Sequence, residues 1–227
     1  MCIRTFVTAL CLAAAAPLAA SAATLDFWGP NGRHAQGALS FTDATSGFTA
    51  TVTAGWRESA GSDAPFSSLT SCGTCIHQHG NGISVWTRKD RTHQISGREY
   101  LQLSFDRAVQ IDRVWMNAIG RYDEFDMAVD GVDLDVAGLL GTPWLGGLPG
   151  DDIAATHSFD RVADFGLGNE ALRGQVFTFY TDDHNDDYKL AALSFEAVAP
   201  VPLPSSLALM LGAMGLAGAA RYRRTRA

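Results

Sequence analysis

Residues 48–54 read Phe-Thr-Ala-Thr-Val-Thr-Ala, a strict alternation that turns every second side chain to the same face of a strand. The same two-residue period, rich in β-branched and aromatic residues, recurs at 100–105, 111–116, 175–180 and 189–195. Residues 125–129 and 132–136 flank Asp130-Gly131, a dipeptide suited to the positive φ angles of a type I′ hairpin turn. That hairpin would put Phe125, Met127 and Val129 on one face, with Val132, Leu134 and Val136 likewise. Asp126, Asp130, Asp133 and Asp135 would then face water or a ligand. Between residues 24 and 199 no stretch carries the 3.6-residue period of an amphipathic helix. The glycine-rich residues 138–150 read as a loop with Trp144 turned inward. About ten short strands separated by Gly and Asp turns predict an all-β fold, an antiparallel two-sheet sandwich of jelly-roll type. A closed barrel is the alternative.

Both ends of the chain depart from this pattern. Arg4, the apolar residues 6–16 and Ala20-Ser21-Ala22-Ala23 have the layout of a secretory signal peptide over residues 1–23, with cleavage after Ala22 or Ala23. At the other end, residues 200–227 hold Val201-Pro202-Leu203-Pro204, an apolar run over 205–220, and then Arg221, Arg223, Arg224 and Arg226. The prolines stop an upstream element from running on. The apolar run suits a helix in lipid, and the arginines favour the cytoplasmic side. Sixteen residues at ~1.5 Å each span about 24 Å, short of a hydrocarbon core of about 30 Å. Such a short span suits a transient substrate better than a permanent anchor.

This terminal segment resembles the PEP-CTERM sorting domains, and most closely their VPLPA-type variant, with Ser205 where the variant has alanine. The resemblance implies recognition by an exosortase, a membrane-embedded cysteine protease-transpeptidase, in a Gram-negative bacterium that makes exopolysaccharide. It also implies an inner-membrane precursor that is later released to the cell surface or medium. Residues 81–85 and 99–106 are similar in pattern to the exported β-sandwich domains that often precede this signal.

Without the two signals, residues 24–199 form one domain with 12 basic against 24 acidic residues, a net charge of about −12 before histidine. An exported domain so acidic repels nucleic acid, and excludes it as a partner. Cys2 and Cys11 leave with the signal peptide, so Cys72 and Cys75 are the cysteines of the mature domain. They open the densest constellation, Cys72-Gly-Thr-Cys75-Ile-His77-Gln-His79. An oxidising compartment favours a Cys72–Cys75 disulfide. The alternatives are a zinc site on the two thiolates with His77 and His79, and a reactive thiol pair. His34, His93 and His157 stand apart in sequence and read as structural or solvent-facing.

Residues 181–188 carry four carboxylates, Asp182, Asp183, Asp186 and Asp187, whose mutual repulsion a structural Ca²⁺ would relieve. A solvated polar turn is the other reading. Tyr188 and Ser194 stand where an EF-hand needs glycine and glutamate, so the loop is not of that kind. Trp86 and Trp115 fall in strand patterns and read as core, whereas Trp56 and Trp144, beside loop glycines, are placed to stack on sugar rings. The chain lacks a Gly-x-Ser-x-Gly elbow, a His-Glu-x-x-His motif, a phosphate loop and a dinucleotide fingerprint. The expectation is therefore a non-enzymatic surface or matrix protein associated with exopolysaccharide. A carbohydrate-active enzyme on a jelly-roll scaffold, drawing on acidic pairs such as Asp151-Asp152, is the alternative.

Overall fold

The structure, a computed structural model, describes residues 22–30, 33–35, 37–57, 69–72, 75–86, 93–119, 123, 125–139, 161–166, 168–181 and 186–198. These residues form β1 (Ala22–Asp26), β2 (Arg33–Ala35), β3 (Leu39–Thr42), β4 (Thr49–Arg57), β5 (Leu69–Ser71), β6 (Ile76–His79) and β7 (Gly82–Val85). They continue with β8 (Ile95–Ser96), β9 (Glu99–Asn117), β10 (Asp126–Val129), β11 (Val132–Leu134), β12 (Arg161–Asp164), β13 (Arg173–Tyr180) and β14 (Asp187–Ala197). One helical turn, α1 (Val136–Leu139), and a 3-10 turn at Glu170–Leu172 are the helical elements among the described residues. The fold is thus mostly β, as the alternation predicts, and every strand pairing is antiparallel in one large sheet.

The 19-residue β9 organises that sheet. Its first half pairs with β4 on one edge and β13 on the other, and its second half pairs with β14 and β12. Val109 and Gln110 bond to β13 and β14 at once, so those two strands take opposite edges. β10 and β11 extend the sheet beyond β13, while β1, β7 and β8 line the far edge of β14 and lead to β6 and β2. Apolar side chains from both halves of β9 join one core. Phe105 packs edge-on against Phe177 and Phe195 at centroid separations of 5.7 and 4.9 Å, and Phe48 meets Phe195 at 5.4 Å.

Strict alternation over residues 100–105 and 111–116 would keep odd-numbered β9 residues inward throughout. The residues that join the main core instead run Leu101, Leu103, Phe105, Val109 and Ile111, then switch parity to Val114 and Met116. The register explains the switch. Ile111 pairs with Phe195 and Arg113 with Ser194, so Asp112 is an extra residue, a bulge that moves later side chains to the other face. Asp112 is used there: its Oδ2 accepts from the Ser194 hydroxyl at 3.1 Å and its carbonyl from the Phe165 amide at 3.0 Å. A second bulge makes Ala191 the extra residue of β14, and its carbonyl accepts from the Phe27 amide at 3.0 Å. Trp115, Val162, Ala191 and Ala192 cover the opposite face of this region in a separate apolar cluster.

The Asp130-Gly131 hairpin forms as its sequence predicts. Val129 pairs with Val132 across a two-residue turn whose residues have φ of 49° and 81°. Phe125, Met127 and Val129 are buried, but Val132 is 65% exposed and Val136 starts α1 instead of extending the strand. β11 is the edge of the sheet among the described residues and ends at Leu134, with Val132 and Asp133 both exposed. Asp130 has a further task. A register shift between Gly174 and Val176 breaks the β13–β9 ladder, and Asp130 Oδ1 accepts from the amides of Gln175 and Val176 at 3.1 and 2.9 Å.

Replacing Asp130 by alanine should therefore remove two side-chain hydrogen bonds to exposed amides and strain the positive-φ turn, lowering unfolding free energy by about 1–2 kcal/mol in a denaturant titration. Asp130→Asn keeps an Oδ1 acceptor and tolerance of positive φ, and should retain most of that stability.

Candidate functional site

The period of two places His77 and His79 on one face of β6, with Ile76 and Gln78 on the other. Gln78 anchors its own side by donating from Nε2 to the Phe27 and Trp28 carbonyls, both at 3.1 Å. β6 is half of a tight hairpin with β7, in register His77 to Ser84 and His79 to Gly82. Gly82 has φ of 124°, and a Cβ there would collide with the Leu190 carbonyl, so the hairpin lies close against β14 only because this residue is glycine. Asn117, the last residue of β9, donates from Nδ2 to the Asn81 carbonyl at 3.0 Å and fixes the turn.

The third imidazole comes from outside the hairpin. His93 takes φ of 56°, in the left-handed region. The next residue ties the segment down: Gln94 Nε2 donates to the Ala118 carbonyl and to Asp187 Oδ1, both at 2.7 Å. β8 then pairs with the start of β14 through Ser96–Asp187 and Ile95–Tyr188. His93 is thereby brought against β6, with ring centroids 4.6 Å from His77 and 5.6 Å from His79, while His77 and His79 are 3.9 Å apart. Trp86, leaving β7, stacks parallel to His93 at 6.2 Å. One potential ligand nitrogen from each imidazole lies within 4.8 Å of the others. His77 is buried, and His79 and His93 are half-buried.

This grouping corrects one sequence expectation and agrees with another. His93, which stands apart in the chain, belongs to the densest imidazole cluster among the described residues. Cys72 and Cys75 are joined in a disulfide, with Cα atoms 5.6 Å apart, as an oxidising compartment favours, so the alternative zinc site on two thiolates with His77 and His79 is not formed. The disulfide instead secures the entry to β6. The Cys72 amide donates to the Ala54 carbonyl at 2.9 Å, and the Trp86 amide donates to the Cys75 carbonyl at 2.7 Å. The His-x-His spacing was the signal available in sequence; nothing local marked a partner at position 93.

Of the four carboxylates expected around a cation, Asp182 and Asp183 lie outside the described residues. Asp187 begins β14 and accepts the Gln94 amide, so it positions the His93 segment. Asp186 is half-buried just before it. Trp56 is 40% exposed but sits within β4, opposite Thr70 and Glu99, and not in a loop. Trp115 is buried in β9 as its pattern predicts, and Trp86 is half-buried. Trp144, His157, Asp151, Asp152 and the terminal residues Val201, Pro202, Leu203, Pro204, Arg221, Arg223 and Arg224 all lie outside the described residues. No helix among the described residues is long and apolar enough to cross a membrane.

A second polar group closes the far end of β4. Arg57 is almost fully buried, donates to the Thr181 carbonyl and lies over the Tyr180 ring, 4.3 Å from its centroid. Tyr180 donates its hydroxyl to Asp133, and Tyr188 donates to the Tyr180 carbonyl at 3.0 Å. Burial holds the Tyr180 and Tyr188 phenols well above their ordinary value of 10.0; Asp126 adds to both, the Asp133 hydrogen bond adds to Tyr180, and Arg57 opposes. Burial raises Tyr100 as well.

No family model matches this chain, and no curated protein or solved structure matches it.

A raised phenol gives stability that is complete below the unfolded value of 10.0 and is lost as pH climbs above it. Phenolate absorbance followed with circular dichroism should show Tyr100, Tyr180 and Tyr188 silent near pH 10, ionising only as the sheet melts. Three phenols titrating normally in the folded protein would contradict the burial described.

Proposed function

We propose that this chain is an exported, non-enzymatic surface or matrix protein that associates with exopolysaccharide. Its β domain is a two-sheet sandwich of jelly-roll type, with β9 running through both sheets. A signal peptide over residues 1–23 takes it out of the cytoplasm, and an exosortase-type protease-transpeptidase processes residues 200–227. The observation that carries this reading is the order of the C-terminal parts: Val201-Pro202-Leu203-Pro204, an apolar run, then Arg221, Arg223 and Arg224.

Three features of the domain support it. Ala22 pairs with Glu196, so the chain enters and leaves the sheet at neighbouring points, as suits a domain suspended from a membrane by its terminal segments. The disulfide suits an oxidising compartment. Trp56 presents an exposed indole on β4, a surface on which a sugar ring can stack.

The intact mass of the native protein tests the sorting. It should begin at Ala23 or Thr24, end near the proline motif, and be two hydrogens lighter than the dithiol form. A product that keeps its arginine-rich terminus in the cytosol overturns the proposal. Removal of residues 221–227 should mislocalise the precursor on membrane fractionation. Trp56→Ala should weaken retention on the producer's own exopolysaccharide by about 2- to 10-fold, the worth of one stacked ring. Turnover of that polysaccharide would favour the carbohydrate-active enzyme instead.

A further inference from the structure

We propose that His77, His79 and His93 form a binding site for a divalent late first-row transition metal, of the zinc or copper class, with three imidazole nitrogens as ligands. This goes beyond the sorting and surface role, and none of its argument depends on the signals at the chain ends.

The geometry supplies the first argument. In a tetrahedral zinc site with bonds of about 2.0–2.1 Å, neighbouring ligand nitrogens are about 3.3 Å apart. The three candidate nitrogens already lie within 4.8 Å of one another, so rotamer adjustments of about an ångström close the set. The ring planes cross at 74°, 42° and 81°. Rings inclined in this way can aim lone pairs at one point between them, which parallel stacked rings cannot.

The second argument is how the imidazoles are held. His77 and His79 project from a strand locked by a hairpin partner, and the tight Gly82 and the Asn117 amide fix its turn. His93 reaches them through a left-handed backbone conformation, which costs about 1 kcal/mol or more in a non-glycine residue. Gln94 holds that conformation from the neighbouring position. A solvent-facing histidine needs neither device.

Donor chemistry fixes the class of ion. Imidazole nitrogen suits zinc, copper, nickel and cobalt, whereas calcium and magnesium demand oxygen. The Cys72–Cys75 disulfide withholds sulfur, so the set is nitrogen alone. Three protein ligands leave coordination room for water or another small donor, as in zinc sites that exchange a ligand.

The test uses the full chain in detergent, stripped of metal and dialysed against Zn²⁺, Co²⁺ or Cu²⁺ alone. We expect one equivalent bound, a Co²⁺ visible spectrum of low-symmetry four- or five-coordination without sulfur charge transfer, and three nitrogens in Cu²⁺ paramagnetic resonance. His77→Gln, His79→Gln and His93→Gln should each weaken binding by more than the roughly 10- to 100-fold that losing an outer-shell partner brings. His157→Gln should leave it unchanged. Circular dichroism of the metal-free variants separates loss of a ligand from loss of fold, and the wild-type nitrogen count decides the matter if a variant unfolds. Binding that survives His93→Gln in a folded protein overturns the proposal. So do fewer than three nitrogens, or no binding above buffer.

Discussion

A strand of 19 residues carries two long rows of amide and carbonyl groups, and each group removed from water needs a partner. β9 meets that demand by taking a different neighbour on each edge along each half of its length: β4 and then β14, β13 and then β12. It is also the main source of the core, with Leu101, Leu103, Phe105, Val109, Ile111, Val114 and Met116 fully or nearly fully buried. A strand this long twists, and two flat halves could not enclose a common interior. The exposed pair Asp106 and Arg107, together with the bulge at Asp112, breaks the strict repeat and lets both halves face one core. Arg107 is retained at that break by lying over the Phe48 ring, 4.1 Å from its centroid.

Much of this was legible. The five alternating segments fall in β4, β9, β13 and β14, and Asp130-Gly131 turns as its dihedral preferences dictate. Alternation reports which side chains are buried against one face, so it is strongest in these long central strands. It could not show that residues 100–105 and 111–116 are one strand, because the apolar alternation lapses at the exposed Asp106 and Arg107 between them. Bulges were equally hidden: the parity change between Ile111 and Val114 depends on pairing with residues 193–195, about 80 positions away. β2, β5 and β8 are two or three residues long and owe their conformation to neighbours, not to propensity.

The histidine cluster divides along the same line. His77 and His79 share a face because of a period visible in any strand. His93 arrives through a positive φ and a glutamine amide shared between Ala118 and Asp187, neither of which leaves a local trace. Rigid elements of the sheet, not flexible loops, set the positions of two of the three rings. The buried Arg57–Tyr180–Tyr188 group lies elsewhere and is a matter of closure, since Arg57 and Tyr188 donate to the Thr181 and Tyr180 carbonyls at the end of β13.

The pairing of β1 with β14 has a consequence for how the chain must reach its final state. Ala23 is buried and sits opposite Phe195, although the two are separated by nearly the whole domain. β1 therefore finds its ladder partner only in the last strand of the domain, once the intervening chain is in place. Closing so long a loop is slow, and β1 stays an accessible extended segment during that interval; afterwards its amide and carbonyl groups lie inside a finished ladder.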